Sequence, residues 1–201
     1  MRRRLLTTIA LGAVILAALF FTCVPPTVAH GTYTSTAEFV NAEILAPHQS
    51  AMSGSDIANA WRWYGIDVLD FLVITGAETS VGDPRLGGRL VAASNFGCLR
   101  NHGPDTKWGR LSDGVTWIRG KDWYTFPSPA VGVMALGRYL KAGTTKHPGV
   151  YLPLLETNDW RAFAAIYYGR DVAGFESYVA RLYAIEARFR ALAHAHGFWA
   201  W

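Results

Sequence analysis

Glu78 closes Ile66–Ala77, a run in which nearly every side chain is apolar and the only acids are Asp67 and Asp70. Such a run predicts a helix buried on most sides, with Glu78 at its end. A carboxyl group there is costly to ionise, because burial and the negative end of the helix dipole both favour its protonated form. A carboxyl that keeps its proton near neutral pH is what a general acid needs to protonate a leaving oxygen. The competing reading is a solvated helix terminus with an ordinary pKa. A second carboxylate would come from Asp105, Asp113 or Asp122, and Asp113 is the candidate because it precedes Gly114 at the approach to a hairpin. Cys98 and His102 have a metal-like interval without further partners, so they read as structural or incidental. No metal and no cofactor are expected.

The elements that would position these groups are mostly helical, a mainly α (α+β) pattern. Ala37–Leu45 suits a short helix, and Ser53-Gly54-Ser55-Asp56 supplies capping chemistry for a helix through Trp61. Trp61, Trp63 and Tyr64 read as packing residues. Asp67 stands near the positive end of the helix that Glu78 closes. Gly82-Asp83-Pro84 and Gly87-Gly88 mark irregular chain leading away from it. Val115–Ile118 and Trp123–Phe126, around a turn at Arg119–Lys121, form a small β-hairpin. Ser128-Pro129 caps a helix to Ala142 that stops at Gly143. Asn158 caps another through Tyr168. Phe175, Tyr178, Leu182, Ile185, Phe189 and Leu192 recur every three or four residues, the inward stripe of a last helix. Tyr178 on that stripe is, on this ground, a packed tyrosine.

Arg2-Arg3-Arg4, the apolar run Leu5–Val24 and Pro25-Pro26-Thr27-Val28-Ala29 together read as an export signal, with cleavage after Ala29 favoured. The run is 20 residues long, so an uncleaved membrane anchor is the alternative. Either way residues 1–29 direct the remaining domain, 30–201, outside the cytoplasm, secreted or membrane-anchored. The leader's three arginines account for three of the four net positive charges, leaving +1. With no Lys/Arg-rich run besides, nucleic acid is not an expected partner. Cys23 belongs to the leader, so Cys98 stands alone without an intrachain disulfide, and stability has to come from the core of a single monomeric domain.

Several stretches resemble bacterial glucosaminidase domains of the lysozyme-like superfamily, which cleave the peptidoglycan glycan. Ala77-Glu78-Thr79-Ser80-Val81-Gly82 resembles the family's helix-ending Glu with its small sequel. Ser94-Asn95-Phe96-Gly97 is similar to its Asn-x-Phe-Gly turn, and Tyr178-Val179-Ala180-Arg181-Leu182 to its Tyr-small-x-basic-aliphatic run. Phe126-Pro127-Ser128-Pro129 with Gly132 is similar to the segment opening its next helix. The similarity spans roughly Trp61–Ile185. It implies a lysozyme-like helical domain with a small β-hairpin lobe that cuts β-1,4 bonds after N-acetylglucosamine, its partner being peptidoglycan glycan strands. Glu78 would protonate the leaving oxygen and return as base. Asp113 or the substrate's own N-acetyl oxygen would stabilise the oxocarbenium-like centre. The resemblance also brings the Tyr178 hydroxyl toward Glu78 in the cleft. The hairpin lobe would be the cleft's far wall, where Trp108, Trp117, Trp123 and Tyr124 either stack on sugars or fill a small core. Asn95, over Phe96, either hydrogen-bonds an N-acetyl group or fixes a turn. Two rival readings stand beside this one: a lytic transglycosylase on the same fold, and a non-catalytic wall-binding or assembly protein.

Overall fold

The computed structural model describes residues 33–101, 109–118 and 120–198. The export-signal reading of residues 1–29, together with His102, Asp105, Trp108, Arg119, Trp199 and Trp201, lies outside them. Residues Tyr33–Trp201 form one compact unit. It is mostly helical, with one small antiparallel sheet. No helix among the described residues is long and apolar enough to cross a membrane.

The chain enters through α1 (Thr36–Phe39), capped by Ser35 and continued by a π-helical stretch, Val40–Leu45. Helix α2 (Gly54–Tyr64) starts where Ser53 accepts a hydrogen bond from the Asp56 amide, as its capping sequence predicts. The expectation that Trp61 and Trp63 pack inside is corrected: they are 52% and 53% exposed, because the inward face of α2 is carried by Ile57 and Ala60. Helix α3 (Val68–Thr79) is the buried centre. Asp67 caps it by accepting from the Leu69 amide at 2.8 Å, and ten of its twelve residues are buried.

A tight turn ends α3. Ser80, Val81 and Gly82 are all left-handed, with φ of 53°, 54° and 75°. For a β-branched valine this conformation costs about 1–3 kcal/mol. The surroundings hold it there: Ser50 Oγ donates to the Val81 carbonyl at 2.6 Å, and the Ala51 amide donates to the Gly82 carbonyl at 3.1 Å. The next segment corrects the expected irregular chain. Asp83 accepts from the Arg85 amide and opens α4 (Pro84–Ala92), which is kinked at Gly88 rather than broken.

Strands β1 (Gly114–Ile118) and β2 (Lys121–Thr125) pair antiparallel, Gly114 opposite Thr125 and Ile118 opposite Lys121. Ser128 caps α5 (Pro129–Ala142) by accepting from the Val131 amide, and Gly143 ends it. A short α6 (Tyr151–Glu156) follows, which the sequence pattern did not announce. The expected Asn158 cap moves one residue on. Asp159 caps α7 (Trp160–Ala164), and the helix widens into a π-helical turn over Ala165–Gly169. Helix α8 (Phe175–Ala195) buries Phe175, Tyr178, Leu182 and Phe189, with Ile185 and Leu192 half-buried on the same stripe.

Helices α3 and α8 share the most extensive helix–helix packing among the described residues. At their crossing a Cβ on Gly76 would stand 3.1 Å from Ile185 Cγ2, so the absent side chain sets how near the helices come. A stricter case is Gly132 on α5, where a Cβ would lie 1.8 Å from the Ser94 carbonyl oxygen. Backbone cannot yield as a flexible side chain can. Gly132→Ala is therefore expected to destabilise the fold by about 3 kcal/mol or more, read as a lowered midpoint in denaturant with an unchanged slope.

Candidate active site

Glu78 lies in the last turn of α3 and is half-buried: neither free in solvent nor sealed in the core. Three pieces of chain meet around it. The turn Ser94–Cys98 is tied to the end of α3 by Thr79, whose hydroxyl lies 3.3 Å from the Phe96 carbonyl. The Cys98 thiol lies 3.8 Å from the Glu78 carbonyl oxygen and also acts on the carboxyl. From α8, a hundred residues downstream, the Tyr178 hydroxyl donates to Glu78 Oε1 at 2.5 Å. One turn further along α8, Arg181 Nη1 donates to the Ala77 carbonyl at 3.2 Å. That cation meets one of the carbonyls a helix terminus leaves unpaired.

Burial pushes the Glu78 carboxyl up from the usual carboxylate range. The Cys98 and Tyr178 hydrogen bonds and the Arg181 charge pull in the other direction without overcoming it. The neighbours respond in kind. Burial and the adjacent Glu78 charge push up the Cys98 thiol and the Tyr178 phenol. Tyr178 thus stays a hydrogen-bond donor to the Glu78 carboxyl.

The π-helical turn supplies a wall that periodicity did not announce. Tyr168 stacks on Tyr178 with ring centroids 4.5 Å apart and planes 12° from parallel. Tyr167 donates to the Gly97 carbonyl and stacks on Phe163 at 4.9 Å. Behind it, the Tyr139 and Tyr151 hydroxyls meet at 2.8 Å. Widening the helix by one residue per turn lets adjacent tyrosines at 167 and 168 both face the Glu78 region. Their adjacency was readable in the sequence, but the π geometry was not, and Cys98, read as structural or incidental, is part of this surround. Tyr178→Phe deletes a hydrogen bond that favours ionised Glu78, so the Glu78 pKa should rise further. Where turnover needs the protonated acid, the alkaline limb of its pH profile moves to higher pH. The rate at the optimum is expected to fall about 10-fold or more as the carboxyl loses its orientation.

The other expected site residues divide. Asn95 is fully buried: its Nδ2 donates to the Leu99 and Tyr124 carbonyls, both at 2.9 Å, and its Oδ1 accepts from the Leu99 amide at 2.7 Å. The sugar-contact reading is corrected: with its amide spent inside, Asn95 fixes the turn that carries Cys98. Phe96 lies beneath it, also fully buried, and has no face for a ligand. Tyr124 is likewise corrected from platform to core, at 3% exposed and close to Phe126. Trp117 is 63% exposed on β1. Trp123 is half-buried, its Nε1 donating to the Ile118 carbonyl at 3.2 Å. Asp113 is exposed and accepts from Thr125 Oγ1 at 2.7 Å. With its carboxyl engaged by that hydroxyl on the hairpin, Asp113 makes no hydrogen bond to Glu78.

The hairpin is nevertheless anchored beside the site, since the Tyr124 amide donates to the Leu99 carbonyl at 3.1 Å and Arg100 bridges to Trp123. Three surface cavities of about 310, 500 and 370 Å³ lie elsewhere, and Glu78 lines none of them. Among the described residues no group of three acid, histidine or cysteine side chains is arranged to hold a metal ion. No family model, curated protein or solved structure matches this chain.

Proposed function

We propose that this protein is an exported peptidoglycan hydrolase of lysozyme-like, glucosaminidase type, and that Glu78 is its general acid and base. The observation that carries the reading is the Tyr178–Glu78 hydrogen bond, which joins two of the motifs behind the resemblance across a hundred residues of chain. Around it the carboxyl is held toward its protonated form by burial, yet the residue keeps partial exposure through which a glycan oxygen can approach. Glu78 gives its proton to the oxygen leaving from a β-1,4 bond. Positive charge then builds on the sugar left behind. Ionised Glu78, still holding the Tyr178 hydrogen bond, takes a proton from the water that completes the reaction. Trp117, open on the hairpin, offers a flat apolar face to a neighbouring sugar.

A lytic transglycosylase is the second reading, favoured by one observation: Asp113, the expected second carboxylate, is exposed and engaged by Thr125 Oγ1. There the substrate's own hydroxyl replaces water, and one acid/base residue suffices. In either reaction an N-acetyl oxygen of the substrate can take the place of a second carboxylate. Digestion of purified peptidoglycan, with mass spectrometry of the released ends, separates these readings. Reducing N-acetylglucosamine ends support the hydrolase, and anhydromuramic ends the transglycosylase. Glycan binding with no released ends points to a non-catalytic wall-binding protein and would sink both.

A further inference from the structure

Asp70, on the first turn of α3, is 6% exposed, and no described residue forms a hydrogen bond or ion pair with its carboxyl. It lines a cavity of about 310 Å³ between the start of α3, α6 and α8, together with Asp67, Glu156, Leu152, Leu155 and Arg190. An unpartnered carboxyl buried to this degree is an unusual expense in a folded protein, and its residual exposure is to that cavity. Neighbouring polar groups are already engaged. Asp67 accepts from the Leu69 amide, and Arg190 donates to Glu186 at 2.8 Å and toward Asn158 Oδ1 at 3.4 Å.

The cavity lining carries three carboxyls, Asp67, Asp70 and Glu156, against one guanidinium, Arg190. Asp67 and Glu186 act on Asp70 more strongly than Arg190, which alone opposes them. Burial with these charges pushes the Asp70 carboxyl up to about 8, so an arriving cation would displace its proton. The carboxylates do not converge on a point as metal ligands do. They share the lining with Leu69, Leu152 and Leu155, a mixture that suits an extended molecule with a charged head and an alkyl body.

We propose that this cavity binds a primary ammonium on a short alkyl chain, with the ammonium on Asp70 and the methylenes against Leu152 and Leu155. Asp70 and Glu78 are eight residues apart on one helix, about 12 Å along its axis, so this site is separate from the Glu78 site and does not depend on its reading. The ammonium can come from a free diamine or from the lysine-type side chain of a peptide.

Calorimetric titration of the full chain with 1,5-diaminopentane at low salt tests the proposal. Saturable one-to-one binding is expected, at least 10-fold weaker in Asp70→Asn and unchanged in Glu78→Gln. At pH 7 the heat should vary with the ionisation enthalpy of the buffer, because binding expels the Asp70 proton. Leu152→Trp, which narrows the cavity without changing its charge, should also abolish binding; it keeps the test decisive should Asp70→Asn alter the fold. A Nα-acetyl-lysine amide that binds as well as the diamine marks the peptide source, and binding of the diamine alone marks the free amine. No saturable binding by the wild-type chain overturns the proposal. So does binding that survives both Asp70→Asn and Leu152→Trp.

Discussion

Glu78→Gln is expected to lower the release of glycan fragments by 10³-fold or more while leaving the fold intact. The substitution removes a transferable proton and little else, since the glutamine oxygen can still accept from Tyr178 at the position where Glu78 Oε1 accepts at 2.5 Å. Loss of a positioned acid/base group costs about 10²–10⁴-fold, and in the proposed reaction one residue serves in both halves. The stability change has the opposite sign. The folded-state pKa of Glu78 is raised by burial, so its contribution to stability is fully present below the unfolded pKa and is lost as pH rises through the folded value. Above that range Glu78→Gln should melt higher than the wild type. A variant more stable and inactive identifies a group kept for chemistry at a cost in folding. A variant that still cleaves glycan at the wild-type rate removes Glu78 from the mechanism.

Asp70→Asn should raise the melting temperature at pH 9 by roughly 10 °C and change it little at pH 4. The Asp70 carboxyl is pushed from 3.8 to about 8 by burial first, and then by the Asp67 and Glu186 charges. Being raised, it supports the folded state fully below pH 3.8, and that support is lost as pH climbs to about 8. Integrated over that interval the loss is on the order of 5 kcal/mol, which at this chain length corresponds to roughly 10 °C or more. The amide side chain does not titrate, so the part of the slope that Asp70 contributes should vanish, leaving that of Glu78. Thermal melts at half-unit steps from pH 4 to 9 measure it directly; parallel curves for the two proteins would refute the assignment.

Both groups sit on a helix whose burial was legible in the sequence. The unbroken apolar run required it, Asp67 marked its start, and Glu78 stood in its last turn. The cap at Ser128, the hairpin and the inward stripe of α8 were legible for the same reason: local chemistry and period decide them. Tyr178 was legible only through resemblance, because a stripe residue carries no sign of where its hydroxyl will point. Asn95 shows the limit from the other side. Its three hydrogen bonds run to residues 99 and 124, and the second partner belongs to a strand that no local pattern pairs with it. The α4 helix was hidden by its glycines, which read as loop although the Asp83 cap and Pro84 outweigh them. The π-helical turn at Tyr167-Tyr168 was hidden because period analysis assumes 3.6 residues per turn. Asp70 was visible as an acid in an apolar run, but its isolation depends on how α6 and α8 close around it.

The distance in sequence between Glu78 and Tyr178 also bears on how the protein is made. Ribosomes deliver residue 78 long before residue 175, where α8 begins. Until that segment docks, Glu78 lacks the Tyr178 hydroxyl and the Arg181 charge that act on its carboxyl in the folded chain. On the proposed reading, a nascent or prematurely terminated polypeptide lacks the partner that orients this carboxyl.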